Sequence, residues 1–383
     1  MTTRTAPVTW SAANARRMER QGLTARTALS PAGVVGTLPA AHAQVLSAAE
    51  LSVGLRTTGV TRAGVREALW RDRALVKTFG PRGTVHLLPA DELAMWTGAL
   101  SALPAGRSPF AEEARMTPEQ TETVLAAIGD ALAGAELTVD ELSGAVVERA
   151  GAWAGDLVMP AFQGMWPRWR QVMHLAGHRG VLCFAPNRGR KVTYTRPDVV
   201  PLDGPVALAA LVRRYLHAYG PATPAHFAKW LALAPGPAAE LFEGLAARGE
   251  IEPVAYEGGP AWVVAGDTGF SAEPARGVRL LPYFDAFLIA SRPRERLFPG
   301  AAYTRALAGG QAGNFPVLLV DGVAAGVWHQ RRSGRRIAVT VEPLAPLPGR
   351  LLRELEAEVA RVGEVLEGNA ELTVGEVTVG PHA

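Results

Sequence analysis

Leu75-Val76-Lys77-Thr78-Phe79-Gly80-Pro81-Arg82-Gly83-Thr84-Val85-His86-Leu87-Leu88 holds two short apolar runs on either side of a Gly-Pro-Arg-Gly turn. Proline presets φ and glycine supplies the positive-φ conformations that a tight reversal needs, so the segment predicts a β-hairpin. Three helix starts lie upstream. Ser30-Pro31 joins an N-cap to a proline at the first helical position, Ser47-Ala48-Ala49-Glu50 matches a capping box and predicts a helix opening near Ala48, and Thr61 opens another. Helices followed by such a hairpin read as a winged helix.

The pattern recurs twice, without residue identity. Thr117-Pro118-Glu119-Gln120 and Thr138-Val139-Asp140-Glu141 are capping boxes, a Trp-rich helix is expected around Phe162 to Gly177, and strands at Val181 to Phe184 and Val192 to Tyr194 flank a basic tip. A third unit has helices at Leu208 to Tyr219, from Thr223-Pro224 and through Ala238 to Ala247, then strands at Ile251 to Tyr256 and Ala261 to Val264. From Gly277 the chain turns to strands: Val317 to Val320, an Asp321-Gly322 turn, Val323 to His329, and Ile337 to Val341. An amphipathic helix over Leu351 to Leu366 and a strand over Glu371 to Val379 follow. The expected fold is α+β. It has three tandem winged-helix units (1–112, 113–203 and 204–272) and a small antiparallel, barrel-like β-domain (273–383) packed beside the first unit.

With 383 residues, the chain is long for one hydrophobic core. Its 48% hydrophobic and 20% charged residues suit a soluble globular protein, and no apolar run approaches a membrane span. There is no signal-peptide pattern, and the single cysteine, Cys183, leaves no internal disulfide, so a cytoplasmic protein is expected. A net charge of +3 is weak support for an anionic partner. Of the 39 basic residues only Lys77, Lys191 and Lys229 are lysines. Guanidinium groups suit bidentate phosphate contacts, although codon bias in a GC-rich genome produces the same excess.

His42-Ala43-Gln44 falls in irregular backbone just before the predicted helix. If that backbone is extended, His42 and Gln44 face one space and can hold a water between them. Here the chain resembles the AlkZ/YcaQ-like winged-helix DNA glycosylases. The resemblance rests on the Ala-His-Ala-Gln run, Arg82-Gly83-Thr84-Val85-His86-Leu87, Leu281-Pro282-Tyr283-Phe284-Asp285, and Asp321-Gly322 with Gly326-Val327-Trp328, in family order across nearly the whole chain. The family usually carries Gln-x-Gln or Gln-x-Asp where this chain has His42-x-Gln44. That variant looks like the branch that protects producers of DNA-alkylating antibiotics.

The resemblance implies removal of alkylated purines, including bulky N7-guanine adducts and crosslinks, from double-stranded DNA by a monomeric, nucleoid-associated repair enzyme without a cofactor or metal. An N7-alkylated purine is already cationic and leaves as a neutral base, so a water aligned beneath the sugar meets most of the demand. His42 is expected to accept a proton from that water and Gln44 to orient it. Arg82 is the expected phosphate contact at the first wing. His86 is either a DNA contact or a satisfied, partly buried histidine, and Lys77 is read as a phosphate contact. Arg331, Arg332, Arg335 and Arg336 surround a tight turn that suits the minor groove or the backbone, or is a solvated charged turn. Arg292 and Arg294 are weaker DNA-binding candidates. Asp285 is read as structural, pairing with an arginine or capping a turn, with a catalytic carboxylate as the alternative.

His174 and His178 stand four apart near Cys183, but lack the accompanying ligands of a zinc site. Trp153, Trp166 and Trp169 read as core rather than as a base-stacking platform. No lysine is poised as a Schiff-base nucleophile, so no lyase activity is expected. The competing reading is a winged-helix transcriptional regulator that binds duplex DNA without catalysis.

Overall fold

The computed structural model describes residues 7–104, 106, 110–161 and 164–381. In chain order the elements are α1 (Trp10–Arg20), α2 (Pro31–Thr37), β1 (Ala41–His42), α3 (Leu46–Arg56), α4 (Arg62–Trp70), β2 (Leu75–Phe79), β3 (Val85–Pro89), α5 (Leu93–Ser101), α6 (Pro118–Ala131), β4 (Leu137–Thr138) and α7 (Val139–Ala150). Then come β5 (Leu157–Ala161), β6 (Gly164–Pro167), α8 (Met173–His178), β7 (Cys183–Arg188), β8 (Lys191–Thr195), α9 (Gly204–Tyr219), α10 (Pro224–Leu231), α11 (Pro235–Ala247), β9 (Ile251–Tyr256) and β10 (Gly259–Val264). The chain closes with β11 (Val278–Leu281), α12 (Ala286–Ala290), α13 (Arg294–Leu297), α14 (Ala301–Ala306), β12 (Val317–Val320), β13 (Val323–Ser333), β14 (Arg336–Pro343), α15 (Gly349–Val365) and β15 (Asn369–Val374). The fold is mixed α+β. Among the described residues no helix is long and apolar enough to cross a membrane.

Local chemistry placed most of these elements. Ser30 accepts the Gly33 N–H ahead of Pro31, and Thr117/Gln120 and Thr138/Glu141 form both arms of a capping box. Two helix expectations need correction. The Ser47 capping box does not form: α3 opens at Leu46 with Val45 as N-cap, because the Glu50 carboxylate is buried in an ion pair with Arg66 of α4 at 2.6 Å. The Trp-rich helix is mostly replaced by β6, a 3-10 turn over Arg168–Val172 and the short α8. Its expected start at Phe162 lies outside the described residues. Pro167 explains the break, since proline ends a strand or begins a helical turn but does not sit inside a helix.

The chain divides into two compact units, residues 1–71 with 212–383, and residues 72–211. The first is built on a five-stranded sheet in the order β11-β12-β13-β14-β15. Side chains alternate across it: Val317 and Leu319 join a core with Met18, Leu23 and Phe287, whereas Leu318 joins one with Trp328, Ile337 and α15. On α15, Leu351, Leu355, Val359, Val362 and Val365 recur at helical spacing and face Leu51 and Leu55 of α3. This places the C-terminal sheet beside the first helices, as expected. The domain is not wholly antiparallel, however: β15 pairs parallel to β14, Arg336 opposite Asn369. The intervening α15 is a crossover connection, and a crossover returns the chain in the same direction.

The second unit packs α6, α7 and α8 around buried Trp169, with a three-stranded sheet β4-β8-β7 and the β2–β3 hairpin. Thr78 of β2 donates to the Leu182 carbonyl at 3.0 Å. Gly98 is required in α5, since a Cβ there would meet the Leu202 carbonyl oxygen at 2.3 Å.

Candidate active site

Tyr219 donates its hydroxyl hydrogen to the Leu38 carbonyl at 2.7 Å in a buried position, fixing the turn that leaves α2. Ala40 then takes φ 105°, a region that L-residues rarely adopt and that costs on the order of 1–3 kcal/mol. Two residues later the chain is extended at His42. His42 is 9% exposed and Ala43 is fully buried, whereas Gln44 lies exposed. Burial therefore does not alternate along the tripeptide. The imidazole faces inward and the amide sits at the solvent boundary.

The ring that meets His42 comes from far along the chain. Phe284 lies with its centroid 4.5 Å from the imidazole, tilted by 32°. Phe284 has φ 55° and donates its N–H to the Gly313 carbonyl at 2.9 Å. The next residue, Asp285, anchors this loop. Its two oxygens accept from both terminal nitrogens of Arg56 at 2.7 Å each, the Ser52 hydroxyl donates at 2.7 Å, and the Phe287 N–H donates at 3.0 Å. Both side chains of the Arg56–Asp285 pair are 0% exposed. Ser52 and Arg56 belong to α3, the helix that begins two residues after Gln44. The tripeptide and the Leu281–Asp285 segment are thus tied together by one buried ion pair and one ring contact.

Asp285 is structural and paired with an arginine, as its sequence context suggested. Phe284, Arg56 and Ser52 went unassigned. A polar pair four residues apart, Ser52 and Arg56, in a helix of otherwise mostly small and apolar residues was the available signal. Trp328 supports the same loop from β13, donating its indole N–H to the Leu281 carbonyl at 2.9 Å.

Of the arginines after Asp285, Arg292 and Arg294 turn inward, whereas Arg296 is exposed and pairs with Glu257 at 2.8 Å. Arg292 is half-buried, and burial holds its guanidinium below the usual arginine range. Arg294 donates to the Gly310 and Ile289 carbonyls. On the β13–β14 hairpin, Arg332 donates to the Gly334 and Leu366 carbonyls and Arg336 pairs with Glu371 at 3.1 Å. Arg331 and Arg335 are exposed and, among the described residues, make no ion pair.

The second unit carries the remaining sequence candidates. Arg82 sits in a 3-10 turn with φ 61°, where Gly83 donates to the Gly80 carbonyl at 3.1 Å. His86 is 4% exposed with Nδ1 2.8 Å from the Thr84 carbonyl oxygen, and His178 has Nε2 3.1 Å from the Gly80 carbonyl oxygen. Both histidines therefore brace the Arg82 turn from within. Burial lowers the His178 pKa to about 4. Lys77 lays its ammonium 4.6 Å from the Phe184 ring centroid. Cys183 is buried, and burial pushes its thiol up to about 12. Among the described residues no three His, Cys, Asp or Glu side chains converge as a metal site. Trp169 is core, whereas Trp166 is 43% exposed.

The family model described as DNA glycosylase AlkZ-like matches residues 35–365. An interstrand DNA cross-link repair glycosylase of Streptomyces sahachiroi is 31% identical over 368 residues, spanning 93% of this chain and 97% of that protein. The solved structure of the S. sahachiroi DNA glycosylase AlkZ superposes with a TM-score of 0.79 at 29% identity, covering 96% of this chain and 100% of the other. A whole-chain match of both sequence and fold disfavours the regulator reading: the chain belongs to the AlkZ-like DNA glycosylase family and is a DNA glycosylase.

Proposed function

We propose that the chain is a monofunctional glycosylase hydrolysing the N-glycosidic bond of alkylated purines in duplex DNA, N7-alkylguanine first among them and bulky or crosslinked adducts included. The observation that carries this is the joining of His42 to the Phe284–Asp285 segment through a ring contact and a fully buried ion pair. That bracing favours a catalytic motif over a solvated loop, because a water-aligning group has to be held in place. That the relative is an interstrand cross-link repair glycosylase supports the wider lesion range.

In this reading a water between His42 and Gln44 attacks C1′ of the damaged nucleotide. The C1′–N9 bond breaks with its electron pair moving onto the cationic purine, which departs neutral. His42 takes the water proton. The Gln44 amide oxygen accepts a hydrogen bond from the water and opposes the positive charge growing on the sugar. Phe284 restricts rotation of the imidazole. Arg82 and Lys77 on one unit, and Arg292, Arg294, Arg331, Arg332, Arg335 and Arg336 on the other, remain the proposed DNA contacts, whereas buried His86 takes the satisfied-histidine alternative and braces the Arg82 turn. Arg331 and Arg335 are the exposed hairpin members that make no ion pair among the described residues. The three winged-helix segments, a monomeric state, a cytoplasmic, nucleoid-associated location and a role in base-excision repair or self-resistance belong to the same proposal.

The test is release of free base from duplex DNA containing N7-methylguanine. His42→Ala and Gln44→Ala should each slow single-turnover release by about 10²–10⁴-fold, with DNA affinity little changed. Wild-type rates in both variants would remove the pair from the mechanism, and a borohydride-trapped protein–DNA adduct would contradict the absence of lyase chemistry.

A further inference from the structure

The β5–β6 hairpin of the second unit exposes an apolar surface that the catalytic reading does not use. Leu157, Met165 and Trp166 are 64%, 44% and 43% exposed, and Pro160 is exposed with them. The register sets Pro160 opposite Met165 and Met159 opposite Trp166, so Pro160 and Met165 share one face while Trp166 stands on the other above buried Met159. An indole held half in water on a two-stranded ribbon is poorly rewarded in the isolated protein.

A second, independent feature adjoins it. The Arg170 guanidinium carbon lies 4.0 Å from the Trp166 ring centroid. Arg170 is half-buried, its Nε has no hydrogen-bond partner, and among the described residues it has no ion pair. The nearby Arg168 does have one, with Asp156 at 3.4 Å. A partly desolvated cation without a counter-ion is costly until an anion reaches it. Arginine stacked on tryptophan also offers a fork of donors beside a flat apolar face, a pair suited to a phosphate and its neighbouring base.

We propose that the β5–β6 hairpin and Arg170 form a DNA-contacting arm, in which Arg170 binds one backbone phosphate and Trp166 stacks on an unpaired base beside it. The unmatched positive charge favours a polyanion over a second copy of the chain. The proposal rests on DNA as the substrate, which family membership establishes, and not on the roles of His42 and Gln44. A binding assay therefore separates its failure from theirs.

The probe is a fluorescein-labelled duplex with a central tetrahydrofuran abasic-site analogue, whose opposite base is unpaired, read by anisotropy with the full-length protein between 50 and 200 mM KCl. Trp166→Ala should bind about 5- to 150-fold more weakly, with the salt slope unchanged and affinity largely retained in Trp166→Phe. Arg170→Gln should reduce the slope of log K against log[salt] by about 0.9, as expected for one lost phosphate contact. Trp166 is exposed and Arg170 half-buried, and thermal unfolding checks that the variants fold. Should Trp166→Ala fail that check, Trp166→Phe and Arg170→Gln still decide. Unchanged affinity and slope in the folded variants would overturn the arm. So would a wild-type protein that dimerises in sedimentation while Trp166→Ala does not.

Discussion

Removing the Asp285 carboxylate tests whether one ion pair holds the proposed catalytic segment to its partner loop. Both side chains are 0% exposed, so solvent screening does not discount the loss. Asp285→Ala leaves the Arg56 guanidinium buried without its anion, and breaking a buried pair in this way costs about 3–5 kcal/mol. The substitution also removes the acceptor for the Phe287 N–H at the start of α12, a further contribution on the order of 1 kcal/mol. At about 2–4 °C per kcal/mol for a domain of ~150–250 residues, the combined loss of about 4–6 kcal/mol lowers Tm by roughly 8–24 °C. Differential scanning calorimetry reads it directly. Arg56→Met combined with Asp285→Leu should recover part of the loss, because an apolar pair of similar volume leaves no orphaned charge. A Tm within about 2 °C of wild type for Asp285→Ala, or a double variant less stable than the single one, would refute the reasoning.

Two further outcomes follow from the same geometry. Gly326→Ala should destabilise by about 1–3 kcal/mol in chemical denaturation, since its Cβ would meet the Glu342 carbonyl oxygen at 2.2 Å, whereas Gly334→Ala, with nothing within 4 Å, meets only the penalty of its positive φ. His178 gives the second unit a pH dependence of defined sign: its folded pKa of about 4 lies below the unfolded value near 6.5, so the unfolded chain binds the proton first. Its contribution to stability is therefore fully present above about pH 6.5 and is lost as pH falls toward 4, by at most about 3 kcal/mol. His178→Gln should flatten the denaturation profile over that window, and an unchanged slope would count against a neutral buried imidazole.

Elements whose signals are local were legible from residue order alone. The capping boxes at Thr117 and Thr138, Pro at the first turn of α2, the alternation in β12 and the apolar stripe of α15 depend on neighbours within a turn or two, where chemistry and spacing coincide. The motif order also pointed to the glycosylase family. What failed was local chemistry overruled from a distance. Glu50 looked like the closing half of a capping box, but its buried carboxylate is paired instead with half-exposed Arg66 of the next helix. The last strand joined the sheet parallel because α15 packs as a crossover, which the β-propensity of that strand does not encode.

Residue order thus settled the capped helices, the apolar stripe of α15, the β2–β3 hairpin and the family the chain resembles, since those depend on short-range hydrogen bonding and periodicity. The fold alone settled that Phe284 would lie on His42, that Arg56 would neutralise Asp285 from 229 residues away, and that Arg170 would rest on an exposed Trp166. Such contacts arise when buried charges and rings are forced to find partners in a shared interior, and sequence separation carries no record of that interior.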